Sequence, residues 1–321
     1  MERPTTEAGS AAGTARPTGG HPAFLPSAVD PTVFDEDFLR RLERLAVLVR
    51  RPVRGGLKGG RRSVKRGQSV EFADYRDYTL GDDLRQLDWN VYARLEKLLV
   101  KLFIEEEDLT VTLLVDGSAS MATGSPDKLV FAKRAAAALG YIALAAEDRV
   151  VLASLGGRTA RRRAALRGSG RAFRLLADLS AIQPAPGVTD LVAACRHALA
   201  QVTGRGVIVL VSDLLDPGAE RALRDLAGTG SEVIVLHVLA PDELNPTLDG
   251  DLRLVDAETG STVDVTLDLA ARERYTERVG AWQVELAALA AKRRIAYVPL
   301  ASDLPLADLV FAELRRRRVV G

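Results

Sequence analysis

Five oxygen-bearing side chains stand where apolar segments of strand length end or where a predicted helix opens. They are Asp116, Ser118, Ser120, Thr189 and Asp213. The first three follow the apolar run Val111–Val115 at alternate positions, so their oxygens can converge on one point. Asp213 follows a second apolar run, and Thr189 lies in a glycine-containing loop before a predicted helix. Because ligands bind at the carboxyl ends of strands in an open α/β sheet, we expect these side chains to share one edge.

This set of two carboxylates and three hydroxyls contains only hard oxygen ligands. Such a set suits Mg²⁺ or Mn²⁺ and suits zinc poorly, because no imidazole or thiolate is near in sequence. With so few anionic ligands, the ion stays electrophilic and attracts a carboxylate from outside. The sequence therefore predicts a metal site that binds a protein partner through an acidic side chain.

The order Asp116-x-Ser118-x-Ser120, then Thr189, then Asp213, resembles the metal-ion-dependent adhesion site of von Willebrand factor A domains. The resemblance implies that the three hydroxyls contact the ion directly. It implies that the two aspartates act mainly through water. The sequence departs from the pattern at Leu214, where that family often has glycine.

The upstream stretch Ser69–Arg94 contains Gly-Asp-Asp-Leu-Arg, then Asp-Trp and Ala-Arg. It resembles domain-of-unknown-function family fifty-eight, prokaryotic proteins in which such a block precedes an A-type domain. The resemblance covers about Arg61 to the C-terminus. Members are typically associated with MoxR-type AAA+ ATPases, which implies such an ATPase as the protein partner.

From Leu109 onward, apolar runs of strand length alternate with amphipathic helical stretches. The predicted strands are Thr110–Val115, Arg149–Leu155, Gly206–Val211, Glu232–Leu239 and Ile295–Leu300. The predicted helices are about Asp127–Ala146, Gly170–Ala181, Asp190–Val202, Ala219–Gly228, Leu269–Ala291 and Ala307–Arg317. A hairpin, Leu252–Val255 with Thr262–Leu267, precedes the long helix. The pattern predicts an α/β fold with a doubly wound, mostly parallel sheet and helices on both faces.

Three regions follow from the composition along the chain. Residues 1–30 are rich in turn formers and predict a disordered tail. Residues 31–108 comprise a helix over Asp35–Val49, a basic loop and a charged lead-in segment with an extended run at Leu98–Phe103. Residues 109–321 form the A-like domain. In the lead-in segment, we favour an ion-pair network from Asp82 to Arg94, anchored by Trp89, over a docking surface.

The overall composition limits which partners and which cellular location we expect. The 321 residues carry a net charge of +1, which argues against a purely electrostatic partner. The single cysteine, Cys195, excludes an intramolecular disulfide and indicates a small buried residue. No run reaches the ~18 apolar residues of a membrane span, and the N-terminus lacks the apolar core of a signal peptide. A cytoplasmic protein without a membrane span is the default expectation.

Two alternatives stay open. The arginine-rich stretches Arg50–Arg66 and Arg158–Arg174 could bind nucleic acid, but they hold almost no aromatic residues for stacking. A Mg²⁺-dependent phosphatase would need an acid/base aspartate where Ser118 stands. His21, His197 and His237 each fit a structural role, and no phosphate-binding loop is present. We therefore expect a protein-binding module and no enzyme.

Overall fold

The computed structural model describes residues 27–50, 71–104 and 109–305, except positions 80, 81, 83, 85, 86, 201 and 203. Most of the predicted tail, the basic loop and the predicted helix Ala307–Arg317 lie outside the described residues. Eleven strands are described: β1 (Glu71–Asp77), β2 (Leu99–Ile104), β3 (Thr110–Asp116), β4 (Arg149–Gly156), β5 (Thr159–Arg162), β6 (Leu166–Arg167), β7 (Val207–Ser212), β8 (Glu232–Leu239), β9 (Gly250–Val255), β10 (Thr262–Leu267) and β11 (Ala296–Ala301). Eight α-helices are described with them: α1 (Glu36–Arg50), α2 (Trp89–Leu95), α3 (Lys128–Ala145), α4 (Ala172–Ser180), α5 (Leu191–Leu199), α6 (Ala219–Ala227), α7 (Pro241–Leu244) and α8 (Leu269–Lys292).

Seven strands form the central sheet, in the order β11-β8-β7-β3-β4-β5 with β6 also paired to β4. The five strands from β11 to β4 run parallel to their neighbours. Strands β5 and β6 pair antiparallel with β4. The five predicted strands are confirmed within two residues at each end. Because β3 lies at the centre, the residues after it reach the middle of the sheet's carboxyl edge.

Alternate residues of each strand point to opposite sides of this sheet. Both faces are apolar, and helices cover each of them. On one face, Val111, Leu113 and Val115 of β3 pack in a core with α1, α3 and α4. On the other face, Leu114 packs in a core with α5, α6 and α8. The predicted fold, an α/β von Willebrand factor A-like arrangement with a mostly parallel sheet, is confirmed.

The N-terminal helix belongs to the core of the central sheet. Phe34 is fully buried, and Phe38 and Leu42 are 4% and 3% exposed in the same cluster as the β3 side chains. Arg134 of α3 ties this segment down by donating to the carbonyl oxygen of Val33 and to Asp35. Val29, at the end of the stretch that the sequence assigned to the tail, is also buried there. The helix α1 thus completes one layer of the fold.

The lead-in segment forms a separate two-stranded antiparallel sheet of β1 and β2, with α2 between them in sequence. Two of its carboxylates have local partners: Asp82 pairs with Arg76, and Asp88 caps the N-terminus of α2. The expectation that Trp89 anchors the segment is wrong, because its side chain is 60% exposed. Among the side chains described in this segment, the buried apolar ones are Leu87 and Val100.

The arginine-rich stretch Arg158–Arg174 contains two short strands, β5 and β6, that the sequence pattern did not predict. These short strands place long arginine side chains at a sheet edge, a common way of protecting it, and only Ala160 of β5 is buried. The predicted hairpin is confirmed, with β9 two residues longer than expected.

Within the described residues, no helix is both long and apolar enough to cross a membrane.

Candidate metal centre

The end of β3 brings three of the predicted ligands together. The Asp116 carboxylate accepts a hydrogen bond of 2.9 Å from the backbone N–H of Ser118, which turns the chain into a short 3₁₀ turn. The hydroxyl oxygens of Ser118 and Ser120 then lie 3.0 Å apart. Glycine suits position 117 in this turn, because a Cβ there would make a tight contact of 3.0 Å with the carbonyl oxygen of Leu155. Three oxygen-bearing side chains therefore meet within one turn.

Strand β7 carries the second carboxylate to the same place. Ser212 donates a hydrogen bond to the second oxygen of Asp116, so the ends of β3 and β7 are joined side chain to side chain. Burial, together with the nearby negative charge of Asp213, raises the pKa of Asp116 to about 6. Asp116 and Asp213 are 3% and 2% exposed. Two buried carboxylates that interact in this way repel each other and favour a compensating cation.

One such cation is Lys128, which the sequence analysis did not single out. It is fully buried, and its ammonium group donates to Asp213 over 2.9 Å and to Glu243. Burial lowers the pKa of Lys128, but the charges of Asp213 and Glu243 outweigh that effect and raise it above its usual value. No sequence signal pointed to it, because a lysine opening an amphipathic helix is ordinarily exposed.

Thr189 lies on the loop that runs from α4 to α5, against the same edge of the sheet. The backbone N–H of Ala185 in this loop donates to the carbonyl oxygen of Gly117 over 2.6 Å, and the N–H of Leu191 donates to Asp216 over 3.0 Å. The loop is therefore fixed to the chain segments that follow both β3 and β7. Thr189 is 5% exposed, and among the described residues its buried hydroxyl oxygen has no hydrogen-bond partner.

A histidine holds the backbone next to Asp213. The Nε2–H of His237 donates to the carbonyl oxygen of Asp213 over 2.9 Å, and its Nδ1 accepts from the hydroxyl of Tyr297. Burial lowers the pKa of His237 to about 4, so the ring is neutral near pH 7. His237 thus has a structural role at the site, as the sequence suggested. His197 likewise accepts from the backbone N–H of Ala160.

Leu214, where the sequence departs from the adhesion-site pattern, lies in a bend of the backbone. It adopts a φ of 54°, in the left-handed region that ordinarily favours glycine. Its side chain is nevertheless 1% exposed and packs in the core beneath α5 and α6. The chain thus keeps the bend that a glycine would allow and gains apolar burial from the leucine.

The donor set fits a hard divalent cation. In the described part of the chain, no three His, Cys, Asp or Glu side chains lie together as a metal-binding group. An ion here would depend on the hydroxyls of Ser118, Ser120 and Thr189 in addition to two carboxylates. The unpaired, buried hydroxyl of Thr189 supports this, because a buried polar atom without a partner costs about 1–3 kcal/mol unless something satisfies it.

The chain is similar in sequence to one protein family and to mycobacterial proteins. The pattern of the family described as "Protein of unknown function DUF58" matches residues 74–285. "Uncharacterized protein Rv1480" of Mycobacterium tuberculosis (strain ATCC 25618 / H37Rv) is 30% identical over 299 residues, which cover 91% of this chain and 94% of that protein. "Uncharacterized protein Mb1516" of Mycobacterium bovis has the same identity and coverage.

Two solved structures resemble the fold at low similarity. The conserved hypothetical protein BatB from Bacteroides thetaiotaomicron is 17% identical, with a TM-score of 0.40, over 65% of this chain and 98% of that one. An aerotolerance-related membrane protein from Bacteroides fragilis is 20% identical, with a TM-score of 0.41 and the same coverage.

Proposed function

The chain belongs to the DUF58 family of proteins of unknown function, and we propose that it is a divalent-cation-dependent protein-binding module. The proposed ion is Mg²⁺ or Mn²⁺. The proposed ligands are the ones expected from the sequence: Asp116, Ser118, Ser120, Thr189 and Asp213. The proposed partner presents an acidic side chain to this site.

The observation that carries the proposal is the unpaired hydroxyl of Thr189. Buried hydroxyl groups in folded proteins nearly always have a hydrogen-bond partner. Within the described residues, this one has none, although its loop is fixed against the turn that holds Ser118 and Ser120. A cation at the edge of the sheet would give this oxygen a partner and would relieve the repulsion between Asp116 and Asp213.

The resemblance to the adhesion site implies a role for each residue. The hydroxyls of Ser118, Ser120 and Thr189 would contact the ion, and Asp116 and Asp213 would act mainly through water. Both oxygens of Asp116 already accept one hydrogen bond each, from Ser118 and Ser212, which fixes the orientation of that carboxylate. The bound ion would supply an electrophilic centre for an external carboxylate. Neutral hydroxyl ligands preserve that property, because they do not cancel the charge of the ion.

The proposed partner is a MoxR-type AAA+ ATPase, for which this protein would act as an adaptor. The support for this choice is the resemblance of the Ser69–Arg94 block to proteins associated with such ATPases. Trp89 and Tyr92 of that block and the following Leu95 are exposed on α2, so this helix offers apolar surface to a protein partner.

The test uses Thr189→Val, which removes the hydroxyl and keeps the shape of the side chain. In EDTA, we expect the variant to be as stable as the wild type or slightly more stable, because it loses an unpaired buried polar group. Addition of Mg²⁺ should raise the Tm of the wild type and leave that of the variant nearly unchanged. Isothermal titration with Mg²⁺ measures the same difference directly.

The partner is identified in a second step with the same two proteins. Both are used as bait in native lysate, once in Mg²⁺ and once in EDTA, and captured proteins are identified by mass spectrometry. An AAA+ ATPase recovered only by the wild type in Mg²⁺ supports the proposal. Equal Mg²⁺ binding by both proteins, or the same captured proteins in all samples, contradicts it.

A further inference from the structure

The turn of the β9–β10 hairpin reaches the candidate metal centre through one acidic residue. The carboxylate of Glu258 accepts a hydrogen bond of 3.0 Å from the backbone N–H of Thr189. These two residues are 69 positions apart in the sequence. The hydroxyl of this same Thr189 is buried and has no partner among the described residues. An acidic side chain of the chain itself therefore binds the backbone of the residue that carries the unsatisfied hydroxyl.

The hairpin turn is built to hold Glu258 in this place. Asp256 accepts hydrogen bonds from the backbone N–H of Glu258, at 3.0 Å, and of Thr259, at 2.7 Å. Gly260 closes the turn with a φ of 70°. The neighbours of Glu258 in the turn are exposed, whereas Glu258 itself is half-buried. The turn thus directs one carboxylate inward while its other side chains face solvent.

The other side chains of the hairpin are mostly exposed, so the contact between Glu258 and Thr189 helps to hold the hairpin in position. On one face, Leu254 and Val263 are cross-strand partners that are 50% and 59% exposed. On the other face, Arg253 pairs with Asp264 in solvent. A two-stranded hairpin is marginally stable on its own in water, so its contacts at the turn help to hold it in place.

Charge gives a second reason to connect Glu258 with a cation. The site already holds two carboxylates, Asp116 and Asp213, and its buried lysine, Lys128, pairs with Asp213 and with Glu243. A further half-buried carboxylate adds negative charge to this region. Like charges brought together in a partly buried site are unfavourable unless a cation is present.

We infer that Glu258 is the internal acidic ligand of this site, holding the place that a partner's carboxylate takes when the hairpin turn moves away. The inference rests on the proposed function, since it needs the cation. It adds that the free protein occupies its own docking position. A partner must then displace Glu258, so the hairpin sets how readily the site becomes available.

The experiment compares the wild type with Glu258→Gln and uses Mn²⁺ alone as the probe. Glutamine keeps an oxygen that can accept from the Thr189 N–H, so the variant should fold with an unchanged Tm. Glu273→Gln is the matched control, because Glu273 is an exposed glutamate on α8. Titration measures Mn²⁺ affinity, and the relaxation rate of water protons reports how many exchangeable waters the bound Mn²⁺ carries.

For Glu258→Gln we expect the Mn²⁺ dissociation constant to rise roughly tenfold or more. We also expect a higher water relaxation rate per bound Mn²⁺, because water takes the place of the carboxylate. Hydrogen exchange in the turn, measured by mass spectrometry, should slow on Mn²⁺ addition in the wild type and in Glu273→Gln only. Mn²⁺ binding that Glu258→Gln leaves unchanged in affinity and relaxation overturns this inference alone. If the wild type does not bind Mn²⁺, the proposed function fails and the inference fails with it.

Discussion

Lys128 lies fully buried between two carboxylates. Its replacement by methionine tests how far its charge stabilises the protein when no metal ion is bound. Its ammonium nitrogen is 2.9 Å from Asp213, and the two side chains are 0% and 2% exposed. At an effective dielectric constant of ~20, two unit charges at this distance attract each other by about 6 kcal/mol. The cost of burying the ammonium group offsets part of that attraction.

Lys128→Met keeps the length of the side chain and removes its charge. Asp213 is then left as a buried carboxylate without its cation, and Glu243, whose side chain is 25% exposed, is left partly solvated. Removing one partner of a buried ion pair costs about 3–5 kcal/mol. For a domain of roughly 200 residues, each kcal/mol lowers the Tm by about 2–4 °C, so we expect a fall of about 6–20 °C.

Thermal unfolding in EDTA, followed by circular dichroism, measures this change. Lys97→Met is the control, because Lys97 is an exposed lysine outside the central sheet, and its Tm should fall by no more than about 2 °C. Adding Asp213→Asn to Lys128→Met should recover part of the loss, since the uncompensated charge is removed. The reasoning is refuted if Lys128→Met is no less stable than Lys97→Met, or if the second substitution makes the protein still less stable.

Two other predictions concern buried residues close to the site. Leu214→Ala should cost about 2–5 kcal/mol through the cavity it leaves. Leu214→Gly should be about 1 kcal/mol more stable than Leu214→Ala in urea denaturation, because glycine tolerates the φ of 54° at this position; the opposite order would contradict the left-handed bend. Cys195 is 1% exposed, and burial raises its pKa far above the usual value. The native protein at pH 8 should therefore leave this thiol unlabelled by iodoacetamide and react once when unfolded, whereas rapid native labelling would show that α5 opens easily.

The sequence predicts the central sheet well because its strands are buried on both sides. Runs such as Val207–Ser212 are apolar almost throughout and fully buried, so their pattern differs clearly from that of the amphipathic helices between them. The edge strands β5 and β6 lack this pattern. Thr159–Arg162 has a single buried side chain and is dominated by arginine, so its extended conformation depends on pairing with β4. That pairing is a tertiary contact, which the local sequence does not encode.

In the lead-in segment, the residue that the sequence predicts to be buried is exposed. A tryptophan amid many charges suggests an apolar anchor, but Trp89 is the first residue of α2, a helix with no buried residue. The burial there comes from Leu87, which bridges to Val100 of β2 across the small sheet. Which apolar residue is buried depends on the pairing of β1 with β2, whose register includes an irregularity between Phe72 and Asp74. Residue type alone cannot supply that register.

The placement of the candidate ligands at one edge of the sheet could be predicted, because each follows a strand or precedes a helix and the order of the elements brings them together. Lys128 and Glu258 could not be predicted in this way. Lys128 opens a helix, and its burial depends on the packing of α3 against the loop after β7 and on α7. Glu258 lies in a hairpin turn, where acidic residues are common and usually solvated. Each residue meets the site through contacts that cross 69 or more positions of sequence. The contact of Lys128 affects the charge of the site, and the contact of Glu258 is the one we infer to control access to it. The ligand motif alone therefore predicts which ion suits the site, but it does not predict what controls the binding of a partner.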